Sequence, residues 1–169
     1  MKKVVLGLVI AVSLMACQEN ESFKRDYSGS ETVYPLQQAS DYTINGTVTF
    51  KEECDGTALI VVALSGTEGN IEHPVHLHLG DITATGADVA ALLNPVLGKT
   101  GISETKLLTL ADESPITYKQ LINLNACIKV HLAASGPDRD VILAGGNIGS
   151  AASTDLSSGR SGIGICSSK

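Results

Sequence analysis

Residues 42–64 read Tyr42-Thr43-Ile44-Asn45-Gly46-Thr47-Val48-Thr49-Phe50, then Lys51-Glu52-Glu53-Cys54-Asp55-Gly56, then Thr57-Ala58-Leu59-Ile60-Val61-Val62-Ala63-Leu64. The first run alternates polar and apolar residues and is rich in β-branched side chains. A period of two with that composition predicts a strand with one buried face. Asp55-Gly56 supplies the positive backbone angle that a tight hairpin needs, so residues 57–64 are predicted to return antiparallel.

The same reading extends downstream. Residues 75–79 form a third expected strand, ending at Gly80-Asp81, and a stretch punctuated by Gly86, Gly98 and Gly101 follows. Further strands are expected over 106–110, 126–133, 140–148 and 162–166, with a helical turn over 118–124. The only helical competitor of any length is 87–93, with Asp88 near its start. About seven to eight short strands separated by turns predict an all-β fold, an antiparallel Greek-key β-sandwich.

Upstream, residues 18–40 are polar, carry Ser28-Gly29-Ser30, and show no sustained apolar period. They read as a flexible tether. Before them, Lys2 and Lys3 precede an apolar run over 4–15, which is too short to span a hydrocarbon core as a helix. The run ends in Leu14-Met15-Ala16-Cys17, which resembles a bacterial lipobox. The implied organisation is a signal peptide over 1–16, a lipidated Cys17 with tether over 17–40, and one domain over 41–169. Acyl chains on Cys17 would make the membrane a partner. Gln18-Glu19-Asn20-Glu21 resembles the short acidic stretch of some lipoproteins exported to the outer membrane, which implies a cell-envelope location.

Composition narrows the function classes. The 169 residues carry a net charge of −6, 43% hydrophobic residues, 4% aromatics and no Trp. The acidic balance argues against nucleic acid as a partner, because phosphate contacts need clustered Lys and Arg. No Ser sits in a nucleophile elbow, and the glycine runs lack a phosphate-binding lysine in register. No catalytic residues are therefore assigned, and the chain is read as leaning away from an enzyme.

The histidines are the most informative residues. His76 and His78 share one face of a strand, and His131 sits on a later strand with Cys127 and Lys129 on its own face. If those two strands are neighbours, three imidazoles converge on one copper or zinc ion. Ligand nitrogens in such a site should lie within about 3 to 4 Å of one another, since coordination distances are near 2 Å. Cys127 and His73 are weaker candidates, and His73, just before Pro74, reads as a turn residue. The simpler alternative is that the pair lines a polar sheet face. With Cys17 lipidated, Cys54, Cys127 and Cys166 remain as disulfide candidates, and either Cys54 or Cys166 could meet Cys127.

The segments 46–69, 74–93 (PVHLHLGDITATGADVAALL) and 117–149 (TYKQLINLNACIKVHLAASGPDRDVILAGGNIG) together resemble the CHRD, or chordin-type, domain family. His76, His78 and Gly80 match that family's His-x-His-x-Gly element, and His131 with Pro137 matches its second. Leu132, Ile128 and Ala144-Gly145-Gly146 depart from its usual residues. The resemblance, over residues 42–149, implies an extracellular β-sandwich module with a protein or glycan partner that the sequence does not specify. A fainter resemblance to copper/zinc superoxide dismutases rests on the His-x-His, the following Gly-Asp and the ending Ser158 to Cys166. Residues 79–130 contain no His, so that family's binuclear site cannot be assembled and its activity is not expected. The leading expectation is a non-catalytic binding or surface-structural module, and the rival is a copper or zinc protein using His76, His78 and His131.

Overall fold

A computed structural model describes residues 26–158. Its elements in chain order are β1 (Tyr27–Gln38), β2 (Asn45–Glu53), β3 (Ala58–Ser65), β4 (Glu72–Leu79), β5 (Val89–Leu97), β6 (Ile102–Leu107), α1 (Tyr118–Leu121), β7 (Asn125–His131), β8 (Ile142–Ile148) and α2 (Gly149–Ser158). The fold is all-β, and every strand pairing is antiparallel. The expected sandwich is corrected: the strands close on themselves in the order β1-β2-β3-β6-β5-β4-β7-β8, forming one barrel.

Closure comes from the segment expected to be a tether. β1 pairs with β2 along most of its length and with β8 at its end, through Gln37 opposite Gly145 and Gln38 opposite Ala144. The ordered domain thus reaches back at least to Tyr27, ahead of the expected boundary at 41. β1 buries a single side chain fully, Leu36, which is why it shows no apolar period. The Tyr34 ring also meets Phe50 edge-on, with centroids 5.6 Å apart.

The interior follows the alternation. Val48 and Phe50 of β2 and Ala58, Ile60 and Val62 of β3 point inward with Val75, Leu77, Ile128, Val130 and Ile148. Barrels of this size are filled by such side chains, so the lumen is a packed core. The 87–93 helical competitor is overruled: β5 spans most of it, pairing with β4. The expected turn at 118–124 is α1, opened by a reciprocal Thr117–Gln120 capping box.

β7 and β8 differ from β2 and β3. Almost every residue on both of their faces is buried. Their inward face meets the core, Asp81 and Ile82 lie against the outward face of β8, and α2 packs against both strands. α2 was not anticipated from sequence. The signal peptide, Cys17, Cys166 and the expected strand at 162–166 lie outside the described residues. Among the described residues no helix is long and apolar enough to cross a membrane.

Candidate metal centre

β4 and β7 are neighbours, with His76 opposite Lys129 and His78 opposite Cys127. Val75, Leu77, Ile128 and Val130 occupy the core, so the period of two turns His76, His78 and His131 to the barrel's outer face. Register shifts fall at two of these histidines, between Leu77 and His78 in the β4–β5 pairing and between Val130 and His131 in the β7–β8 pairing. Bulges of this kind re-aim a side chain. The result is one cluster: each of the three residues offers a ligand nitrogen, and all of these lie within 4.8 Å of one another. Ring centroids are 4.6 Å apart for His76 and His131, 5.7 Å for His76 and His78, and 6.3 Å for His78 and His131.

Two of the rings are held from behind. His78 Nδ1 lies 3.0 Å from the Ala87 carbonyl oxygen, and His131 Nδ1 lies 2.8 Å from the Arg139 carbonyl oxygen. A carbonyl only accepts, so Nδ1 carries the proton in both rings and Nε2 keeps its lone pair. Both Nε2 atoms are buried without a hydrogen-bond partner, in residues that are only 3% exposed. An unmade hydrogen bond of that kind costs about 1–3 kcal/mol each. An imidazole whose Nδ1–H is fixed by a carbonyl while Nε2 faces a shared space is the usual arrangement of a metal-ligating histidine.

His76 is half-buried, and among the described residues none is seen to hydrogen-bond its ring. A tetrahedral zinc site with bonds of 2.0–2.1 Å separates its nitrogens by roughly 3.3 Å. The cluster, at up to 4.8 Å, is wider than the expected 3–4 Å and needs a contraction on the order of 1 Å. His76 is the ring free to supply it.

The electrostatics favour neutral rings. Burial, followed by the neighbouring His131 and His78, pushes His76 down to about 4. Burial also lowers His78 and His131; the Ala87 and Arg139 carbonyls partly oppose this, and the nearby Lys129 ammonium adds to it. At neutral pH all three therefore present lone pairs and not protons. The sign for stability follows. The unfolded chain binds these protons first, from about pH 6.5, while native His76 resists until about 4 and His78 and His131 are shifted in the same direction, so stability falls as pH drops through that window. Denaturant unfolding of metal-free protein is expected to show a lower midpoint at pH 4.5 than at pH 7.5. A flat profile would contradict the assignment, and the fall between pH 7.5 and about 5.5 separates the histidines from ordinary carboxylates, whose values of about 3.9 and 4.3 lie below that part of the window.

The weaker candidates separate from the cluster. Cys127 is fully buried on the same outward face but is not one of the converging ligands. His73 is a strand residue and not a turn residue; it is buried, with Nδ1 3.3 Å from the Leu132 carbonyl oxygen, outside the group. Cys54 is a free thiol, so the expected Cys54–Cys127 disulfide is not formed, and the alternative through Cys166 lies outside the described residues. Cys54 is exposed at the hairpin and Cys127 is buried. Sequence reasoning missed the two carbonyls that orient the rings, since any residue type supplies a carbonyl and only the loop path places it. The fully buried Lys129 was noticed only as a face neighbour of His131.

Fold and site define a small antiparallel barrel with a three-imidazole cluster on its outer wall. In comparisons with protein-family models, curated proteins and solved structures, nothing matches this chain.

Proposed function

We propose that the protein binds copper or zinc through His76, His78 and His131 at the outer wall of the barrel. The carrying observation is the pair of buried, unpartnered Nε2 atoms on His78 and His131, each with its Nδ1 tied to a carbonyl. A purely structural role for the histidines gives no reason to bury two lone pairs facing a third imidazole. Three nitrogen donors leave a fourth coordination position open to an external ligand.

In this reading the chain is a cell-envelope lipoprotein, attached to the outer membrane through Cys17 and presenting one CHRD-like domain that works by binding and not by catalysis. The motif residues His76, His78, Gly80, His131 and Pro137 support that relationship. So does the chain path, in which β4, β5 and β6 are successive neighbours and β7 returns beside β4; we read this order as a Greek key.

The test is metal content after separate copper and zinc loading, set beside a His76→Ala, His131→Ala double variant. Near-stoichiometric metal is expected in the parent protein and none in the variant. Absence of metal from both would leave the non-catalytic module with a protein or glycan partner as the better reading.

A further inference from the structure

The loop joining β4 to β5, residues 80–88, folds back across the outer face of β8. Two residues of β8 receive it. At Gly145 the Ile82 Cδ1 atom lies 2.8 Å from where a Cβ would stand, so Ile82 seats where a side chain is missing. Two positions along on the same face, the buried Asn147 grips the loop at both ends of its amide. Its Oδ1 accepts from the Ile82 backbone N–H at 2.7 Å, and its Nδ2 donates to Asp81 Oδ2 at 3.0 Å. Asp81 in turn accepts from the Thr83 N–H at 2.8 Å, which shapes the next turn. The same loop ends by presenting the Ala87 carbonyl to His78 Nδ1.

We infer that Asn147 is a positioning residue for the metal centre: by clamping the 80–88 loop it holds the Ala87 carbonyl on His78 and so keeps the His78 Nε2 lone pair aimed at the cluster. This deepens the metal-binding reading and rests on it. Asn147 is not a ligand, and it sits two strands from His78, with the Cys127 position between them in register. Its influence passes through the loop backbone. His131 is oriented by a different segment, the short 3₁₀ turn Pro137–Asp140 that carries the Arg139 carbonyl. The two rings therefore have separate supports, and His131 is an internal control.

The test uses full-length protein with zinc as the probe, read by competition with a chromophoric chelator, and long-range ¹H–¹⁵N spectra of the imidazoles in the metal-free state. Asn147→Ala is expected to weaken zinc binding about 10- to 100-fold, the range for losing an outer hydrogen-bond partner. His78 should leave its single Nδ1–H tautomer while His131 keeps its own. Asn147→Asp keeps the shape but sets a carboxylate against Asp81, and should behave the same way, which covers failure of the alanine variant to fold. Asp81→Asn combined with Asn147→Asp restores the complementary pair and should recover both readouts.

An unchanged His78 tautomer and unchanged affinity in a folded Asn147 variant would overturn the inference. So would equal disturbance of His78 and His131, which would mark general loosening. If the parent protein takes up no zinc, the metal reading fails, yet the tautomer of His78 in the metal-free variants still decides whether Asn147 positions that ring.

Discussion

Replacing His131 with alanine is expected to weaken copper or zinc binding by more than the roughly 100-fold that loss of an outer hydrogen-bond partner can cost, and by more than His76→Ala does. The ranking follows from preorganisation. His131 is buried, its tautomer is set by the Arg139 carbonyl, its Nε2 lone pair is buried without a partner, and one of its ring nitrogens lies within 4.8 Å of those of His76 and His78. Little entropy remains to be lost when it binds. His76 is half-buried, is not held by a carbonyl, and must move inward by part of the excess over a coordination sphere. Part of its binding energy is used in ordering it. A stability readout gives the same answer independently. Metal at 100 times its Kd stabilises a protein by about 2.7 kcal/mol if it binds only the folded form. The metal-dependent rise in Tm should vanish for His131→Ala and persist, reduced, for His76→Ala at higher metal concentration. An undiminished shift in His131→Ala would remove that residue from the site.

Gly146→Ala is expected to destabilise the barrel by about 3 kcal/mol, near the upper end for overpacking, and to lower Tm by roughly 10 °C. A Cβ at Gly146 would fall inside the contact distance of the Pro35 backbone carbonyl oxygen, and Leu36 Cδ2 would lie 3.4 Å away. A flexible side chain could swing aside, but the backbone of β1 cannot. Among the described residues β1 pairs in register with β8 at Gln37 and Gln38 alone, so pushing the strands apart at this point acts on a short seam of the closed sheet. Gly56→Ala is the useful comparison. Its backbone angle is positive, at 80°, but a Cβ there has open space, so only the left-handed conformation is penalised, at about 1–2 kcal/mol. Thermal or denaturant unfolding of the two variants separates steric closure from backbone strain. Similar losses for both would mean that β1 accommodates the extra methyl.

Much of the strand content was legible because alternation is a local signal. β2 and β3 face the core on one side only, and their sequences report which residues turn inward. The same rule placed His76 with His78, and it grouped His131 with Lys129 and Cys127. It failed where a strand departs from one buried face. β1 buries only Leu36 fully and so looked like a tether, although it closes the barrel. β5 carries the extra residue of a bulge beside His78, which breaks the period and lets a helical reading compete.

The sequence by itself determined the all-β class, the hairpin at Asp55-Gly56, and the set of three histidines able to act together. Tertiary structure alone decided that the sheet closes into a barrel, that β4 lies beside β7, and that Ala87 and Arg139 turn their carbonyls toward His78 and His131. The physical reason is that side-chain periodicity records which way a residue faces, whereas strand adjacency and carbonyl direction are properties of backbone segments brought together from distant parts of the chain.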